Sequence, residues 1–320
     1  MNGRQVIQGP ALIRFNDYTY YSEGEITLTP ELGERVITSS WHGPVSRRQT
    51  DRAITLAFTP VGMLDSAAAY CPFGPADLGS LLAPAVDADV DIYTAAGVRL
   101  TLKAGVITRP PQLILAADKG PLGQMSITAM GGLAKAAGSD SSVWEALSAT
   151  IGAHTLDPFR ILTPGYTAEL IEVGGTAQDP TETVLHSFDP LEGVTFDTGA
   201  TVTPVRVNAY GTVNYRLDAI DPRAEFAAAA LSESDLLSLM LLQGDAAGGI
   251  GSGATLGLRF RVLPAFGKKG ITVEFADCTL TAPMSFGAAT ARSGTIVVRP
   301  VYVPGKPLYA VYFPDFSSQN

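Results

Sequence analysis

The sequence predicts a mainly β protein built twice from one strand-rich unit, and three observations carry that prediction. Short runs of Val, Ile, Leu, Thr, Tyr and Phe lie between scattered Gly and Pro residues, as strands lie between turns. Apolar and polar residues alternate in 25–28, 54–58, 98–102, 256–260, 271–275 and 295–298, so each reads as a strand with one buried face. Finally, three sequence blocks recur in the same order in both halves.

The first block aligns 25–58 with 193–226 without a gap, matching Thr27 to Thr195, Gly43 to Gly211, Val45 to Val213, Arg48 to Arg216 and Phe58 to Phe226. The second reads as a short helix, 77–82 against 235–240, with Asp77 and Asp235 near its start, where the helix dipole favours an acid. The third sets 97–102 and 107–110 against 270–275 and 280–283, apolar position for apolar position. Together they predict a diverged tandem duplication with a first domain over 1–130 and a second over 161–320. Between them Ser142, Val143, Trp144 and Glu145 fit a capping box, which predicts a helical linker within 131–160. The C-terminal stretch mixes Pro304, Pro307 and Pro314 with Tyr302, Tyr309, Tyr312, Phe313 and Phe316. Prolines are excluded from sheet interiors, so this stretch reads as an edge or an arm over apolar surface, on its own domain or on a neighbouring subunit.

Of the 320 residues, 46% are hydrophobic and only 17% charged, against roughly 25% charged in an average soluble domain. Large cores and surface hidden in partners follow. The net charge of −9 argues against a protein that grips phosphates with clustered Lys and Arg. Residues 161–205 contain no Lys or Arg but hold Glu169, Glu172, Asp179, Glu182, Asp189, Glu192 and Asp197, a solvated face or an electronegative surface. Cys71 and Cys278 are too few for a disulfide scaffold or a zinc site and read as buried apolar residues. No secretion signal or membrane span is expected, which points to a soluble product of the cytoplasm.

Enzyme chemistry finds no foothold in the motifs. His42, His154 and His186 lack metal-type spacing. The glycine-rich stretch 248–253 follows a predicted helix and precedes a strand, the reverse of a phosphate-binding Rossmann loop. Asp87, Asp89 and Asp91 could mimic a glycosidase or calcium site, although alternation on one strand face explains them equally. No catalytic residue, cofactor or metal is expected.

The stretches 8–15, 20–30 and 51–62 resemble the major tail (tail tube) proteins of long-tailed phages and prophages, directly over about the first 130 residues and through the repeat thereafter. The resemblance implies two tandem tail-tube β-sandwich or half-barrel domains, each with a flanking helix (73–83 and 232–243) and a long hairpin loop (39–51 and 207–221). It implies a structural virion protein of the tail, assembled in the host cytoplasm, whose stacked rings form a hollow tube for DNA ejection. Partners would be other copies, a tape measure protein in the lumen, and tail terminator and tail-tip proteins at the ends, with DNA passing unbound and no membrane involved. If each subunit supplies two domains, three subunits close a pseudo-sixfold ring. The expected stacking contacts are Trp41, His42, Arg47, Arg48, Tyr210, Tyr215 and Arg216, because Trp and Arg are enriched where interfaces bind most tightly. Asp89, Asp91, Glu225 and Glu274 are the expected lumen-facing acids, and Tyr309, Tyr312, Phe313 and Phe316 the arm contacts. An acidic insertion, 174–190, replaces the tight Asn16-Asp17 turn of the first copy. The alternatives are a carbohydrate-binding β-sandwich module, or another phage structural protein such as a tail terminator or distal tail protein.

Overall fold

The computed structural model describes residues 11–31, 34–49, 53–61, 69–70, 73, 77–82, 88–94, 98–117, 119–133, 144–146, 164–175, 180–207, 211–228, 258–286 and 291–313. In the first half these form β1 (Ala11–Phe15), β2 (Tyr18–Ser22), β3 (Thr27–Glu31), β4 (Glu34–Ser39), β5 (Gly43–Gln49), β6 (Ala53–Phe58), β7 (Pro60–Val61), β8 (Val90–Thr94), β9 (Val98–Arg109), β10 (Leu113–Leu115), β11 (Met125–Leu133) and β12 (Trp144–Ala146). The second half contains β13 (Tyr166–Gly175), β14 (Pro180–Phe188), β15 (Val194–Asp197), β16 (Thr201–Val207), β17 (Gly211–Ala219), β18 (Arg223–Phe226), β19 (Leu258–Pro264), β20 (Thr272–Phe275), β21 (Cys278–Thr281), β22 (Met284–Phe286), β23 (Ala291–Ser293), β24 (Ile296–Pro300) and β25 (Ala310–Tyr312). The protein is mainly β, as the alternation predicts, and its several sheets are compatible with a β-sandwich.

Strand order repeats. The first half runs β3-β6-β11-β9-β8-β1-β2 in one sheet, and the second runs β15-β18-β24-β21 in one sheet and β20-β19-β13-β14 in another. Register repeats as well. Thr27 lies opposite Ala57 as Thr195 lies opposite Glu225, and Phe58 faces Met125 as Phe226 faces Ile296. The strands β9 and β20 pair Leu100 with Ile92 and Val273 with Val262. Ile13 continues the first row and Ala168 the second. All of these inward-facing aliphatic residues are buried. One aromatic contact recurs with them: Tyr20 against Phe58, centroids 5.8 Å apart, and Phe188 against Phe226 at 5.4 Å. Burying each large apolar side chain stabilises the fold by about 1.5–3 kcal/mol, so these matched positions are where the two halves retain the same residue class.

The halves differ where the chain crosses between sheets. In the first half β9 is one strand of 12 residues that pairs with both β8 and β11. It bends at Ala104, whose φ is +57°, and Gly105. A Cβ on Gly105 would lie 2.5 Å from Val90 Cγ2 and 2.9 Å from Phe15 Cε2, so glycine is required for the close approach. The second half divides this path into β20 and β21. Buried Asp277 sits at the break, accepting hydrogen bonds from the Leu258 N–H (3.0 Å) and the Cys278 N–H (2.9 Å). Cys278 is buried and its thiol donates to the Leu258 carbonyl at 3.0 Å. Burial and the neighbouring Asp277 carboxylate push that thiol's pKa well up. The inert, buried role expected of Cys278 follows; Cys71 lies outside the described residues.

Three local expectations are corrected. The described part of 73–83 is not an α-helix: Leu81 forms a β-bridge to Arg216, and Gly79, Ser80 and Leu82 exchange backbone hydrogen bonds with Leu217 and Tyr215 at 2.7–3.2 Å. Sheet partners supplied by the second half override the weak helical pattern. The segment 232–243 lies outside the described residues. Within the predicted helical linker, Trp144–Ala146 is a strand paired with 98–100, so the capping-box pattern is likewise overruled by an available sheet edge. The predicted first-domain boundary at 130 falls inside β11. The strand β10 belongs to the sheet of the second half, pairing with β15.

Candidate functional site

Two hairpins stand out as separate two-stranded ribbons, β4-β5 and β16-β17. Sequence reading expects loops over 39–51 and 207–221, but both stretches are strand for most of their length. Polar residues on both ribbon faces hide the alternation that would have revealed them. The ribbons pair in matching register: Ser39 pairs with Gly43 and Val207 with Gly211. A bulge follows between Ile37 and Thr38 in one, and between Val205 and Arg206 in the other. The extra residues opposite these bulges, Val45 and Val213, are both exposed.

At the first ribbon's tip, the three residues Ser40, Trp41 and His42 close the turn, and Gly43 takes a φ of +67°. That geometry is the three-residue hairpin loop with a left-handed glycine. The Ser39 hydroxyl oxygen accepts a hydrogen bond from the Trp41 N–H at 3.3 Å. Trp41 is 89% exposed, and Val36, Ile37 and Val45 are exposed beneath it. A two-stranded ribbon with apolar groups in water is marginal on its own.

The second ribbon is seated differently. Its Tyr215 is 4% exposed and Leu217 is fully buried, because 79–82 bonds along β17. Tyr215 is therefore a packing residue within the chain and not an exposed stacking contact. Arg216 is exposed and pairs with Asp218 at 2.5 Å, which together with the Thr203 hydroxyl holds the Asp218 carboxyl below its usual pKa. Tyr210 and the side chains of Arg47 and Arg48 lie outside the described residues.

The four expected lumen acids sit on polar sheet faces, and each is paired with a base. Asp89 pairs with Lys103, and Asp91 with Arg99 at 3.2 Å. Glu225 pairs with Arg223 at 2.7 Å and Glu274 with Arg259 at 3.3 Å. These faces are charge-rich and locally compensated, not bare negative surfaces. Equivalent rows carry opposite charges. The row Arg14, Asp91, Thr101 in the first half corresponds to Glu169, Arg261, Glu274 in the second. Arg261 binds Glu169 at 2.9 Å, whereas Arg14 lies over the Tyr93 ring at 5.2 Å. An open groove of about 650 Å³ is lined by Arg14, Asn16, Asp17, Tyr18, Asp89 and Asp91. Two of its three carboxylates, Asp89 and Asp91, are held in ion pairs. No group of three potential metal ligands exists among the described residues.

The C-terminal arm packs on its own chain. Its strand β25 extends the sheet by pairing with β20, Tyr309 lies 5.2 Å from Phe196, and Phe313 stacks at 6.0 Å on Tyr70 of the first half. Tyr302 and Tyr312 remain exposed, and Phe316 lies outside the described residues. His42 is exposed in the turn and His186 stacks on Phe188 at 5.9 Å. No helix among the described residues is long and apolar enough to cross a membrane. Neither a protein-family model nor a curated protein sequence matches this chain.

Proposed function

We propose that this chain is a structural protein of a phage tail, the subunit of stacked rings that form a hollow tube for DNA passage. The observation that carries the reading is the pair of register-matched ribbons, the first ending in an 89%-exposed Trp41 over exposed Val36, Ile37 and Val45. Such ribbons suit a subunit that reaches into an adjacent ring, and they accompany the sequence resemblance to tail tube proteins. In this reading each half is one tube domain, and three subunits make a ring of six. Trp41, His42, Arg47, Arg48 and Arg216 serve ring stacking. The compensated polar faces carrying Asp89, Asp91, Glu225 and Glu274 line a lumen that passes DNA without binding it, since cations already paired to carboxylates release few counterions from phosphate. A tape measure protein occupies the lumen before ejection, and terminator and tip proteins close the ends.

Negative-stain and cryo-electron microscopy of the purified protein test this. Tubes of stacked rings with three subunits each are expected. Isolated rings that never stack would favour a terminator or distal tail role, six chains per ring would overturn the trimer, and monodisperse monomers at all concentrations would overturn the proposal.

A further inference from the structure

The contact between the two halves shows how one copy of the chain would meet another. In the second half the outer edge of β15 is covered by β10, a strand contributed by the first half, with Leu113 opposite Phe196, Ile114 opposite Thr195 and Leu115 opposite Val194. Leu113, Leu115, Val194 and Phe196 are buried, the last two to 1% exposure. The first-half counterpart of β15 is β3, which ends its sheet. Among the described residues nothing pairs with its outer edge, and Ile26 and Leu28, the counterparts of Val194 and Phe196, are only half-buried.

The second half also carries a counterpart of β10. In the first half the Gly123 N–H donates to the Gln112 carbonyl at 2.8 Å and Leu113 bridges Leu122. In the second half the Gly294 N–H donates to the Pro283 carbonyl at 2.6 Å and Met284 pairs with Ser293. The strand after each acceptor is Leu113-Ile114-Leu115 in one case and Met284-Ser285-Phe286 in the other, with the same apolar alternation.

We infer that β22 of one copy adds as a strand to the open edge of β3 in a second copy, in the register that β10 makes with β15 inside each chain. Met284 then lies opposite Leu28, Ser285 opposite Thr27 and Phe286 opposite Ile26. Within a single chain β22 pairs with β23 and β3 with β6, and the two do not meet; the occupant is therefore a second copy. Donor and acceptor edges differ, so the contact is head-to-tail and propagates until it closes into a ring or continues as a filament. It also covers a sheet edge that would otherwise be open to indiscriminate pairing. The correspondence ends after Phe286. Gly193, beside which β10 runs so closely that a Cβ would sit 2.4 Å from the Leu115 oxygen, is replaced in the first half by Glu25. The added strand must turn away there. This inference rests on the repeated pairing pattern and not on the tube reading.

A cysteine pair tests it. The Ile114 N–H points away from β15, to the Pro121 carbonyl. Ser285 and Thr27 should therefore form a non-hydrogen-bonded pair with Cα atoms about 4.5 Å apart, within disulfide range. Full-length T27C/S285C, oxidised at assembling concentration, should give a ladder of dimers, trimers and higher species on non-reducing gels. Mixed single variants T27C and S285C should give only dimers. A ladder no stronger than that of either single variant, or a crosslink confined to monomers, would overturn the inference. As a second test, Leu28→Pro removes one outward-facing N–H at the edge; the variant should keep the wild-type far-ultraviolet circular dichroism and lose assembly, and unaffected assembly would count against the contact. A ladder without tubes in the microscope would leave this contact standing and defeat the tube reading, and tubes without a ladder would do the reverse.

Discussion

Replacing Gly193 with alanine tests whether the junction between the halves is held as closely as the structure requires. Gly193 has a φ of +84°, and an added Cβ would lie 2.4 Å from the Leu115 carbonyl oxygen and 2.5 Å from Ala116 Cβ. A non-glycine residue in the left-handed region costs roughly 1–2 kcal/mol, and overpacking against groups that cannot swing aside adds about 1–3 kcal/mol. Gly193→Ala should therefore destabilise the chain by roughly 2–5 kcal/mol. A matched control separates the two causes. Gly305 has a φ of +78° with nothing within 4 Å of its added Cβ, so Gly305→Ala should show the conformational strain alone, about 1–2 kcal/mol. Urea unfolding followed by far-ultraviolet circular dichroism gives both values. If Gly193→Ala is no more destabilising than Gly305→Ala, the close seating of β10 beside β15 is wrong, and the argument for its counterpart between copies weakens with it.

Three further outcomes are expected. The double variant Trp41→Ala/Arg47→Ala should remain folded and soluble but lose at least tenfold in polymerisation rate, measured by light scattering; normal tubes would remove the first ribbon from the stacking contact. Glu225→Lys combined with Asp89→Lys should leave tubes intact by microscopy while slowing DNA ejection several-fold, since each change frees a base now neutralised by its partner; unchanged kinetics would place these faces outside the lumen. Burial pushes the pKa of Tyr166 up to about 12, its hydroxyl oxygen accepting a hydrogen bond from the Ile271 N–H, and burial also raises that of Tyr20. Each folded-state value exceeds the unfolded value near 10, so stability is fully present below pH 10 and falls as pH rises to 12, by about 1.4 kcal/mol per unit for each group. Urea midpoints between pH 9 and 12 should show this decline and Tyr166→Phe should reduce its slope by about half, the remainder belonging to Tyr20, whereas a level wild-type profile would contradict the burial assignment.

The gapless block of the two halves coincides with a matching pairing pattern: Thr27 and Thr195, Val45 and Val213, and Phe58 and Phe226 occupy the same register positions in each half. A slip of one residue would turn every buried side chain to the wrong face, so packing ties the spacing of apolar residues to the register. What misled the reading was local. The Asp-Leu pattern at 77–82 and the capping box at 142–145 are helix signals, but Leu81 and Trp144–Ala146 lie against open strand edges that satisfy their backbone better. The strands β10 and β22 are three residues each, below the length at which alternation carries information. The burial of Tyr215 gave no local signal either, because its cover comes from a segment more than a hundred residues earlier in the chain. The compensation of Asp91 and Glu274 could not be read without the cross-strand register.

The opposite charges at equivalent positions bear on how an assembly of this protein should be imaged. Where Arg14 and Asp91 stand in one half, Glu169 and Arg261 stand in the other, while the buried rows beside them pair alike. Averaging the two halves as identical units would merge a guanidinium with a carboxylate and erase a feature that distinguishes them. A reconstruction must therefore take the whole chain as its asymmetric unit, and the sign of the side-chain density at these rows becomes the internal marker of whether it has done so.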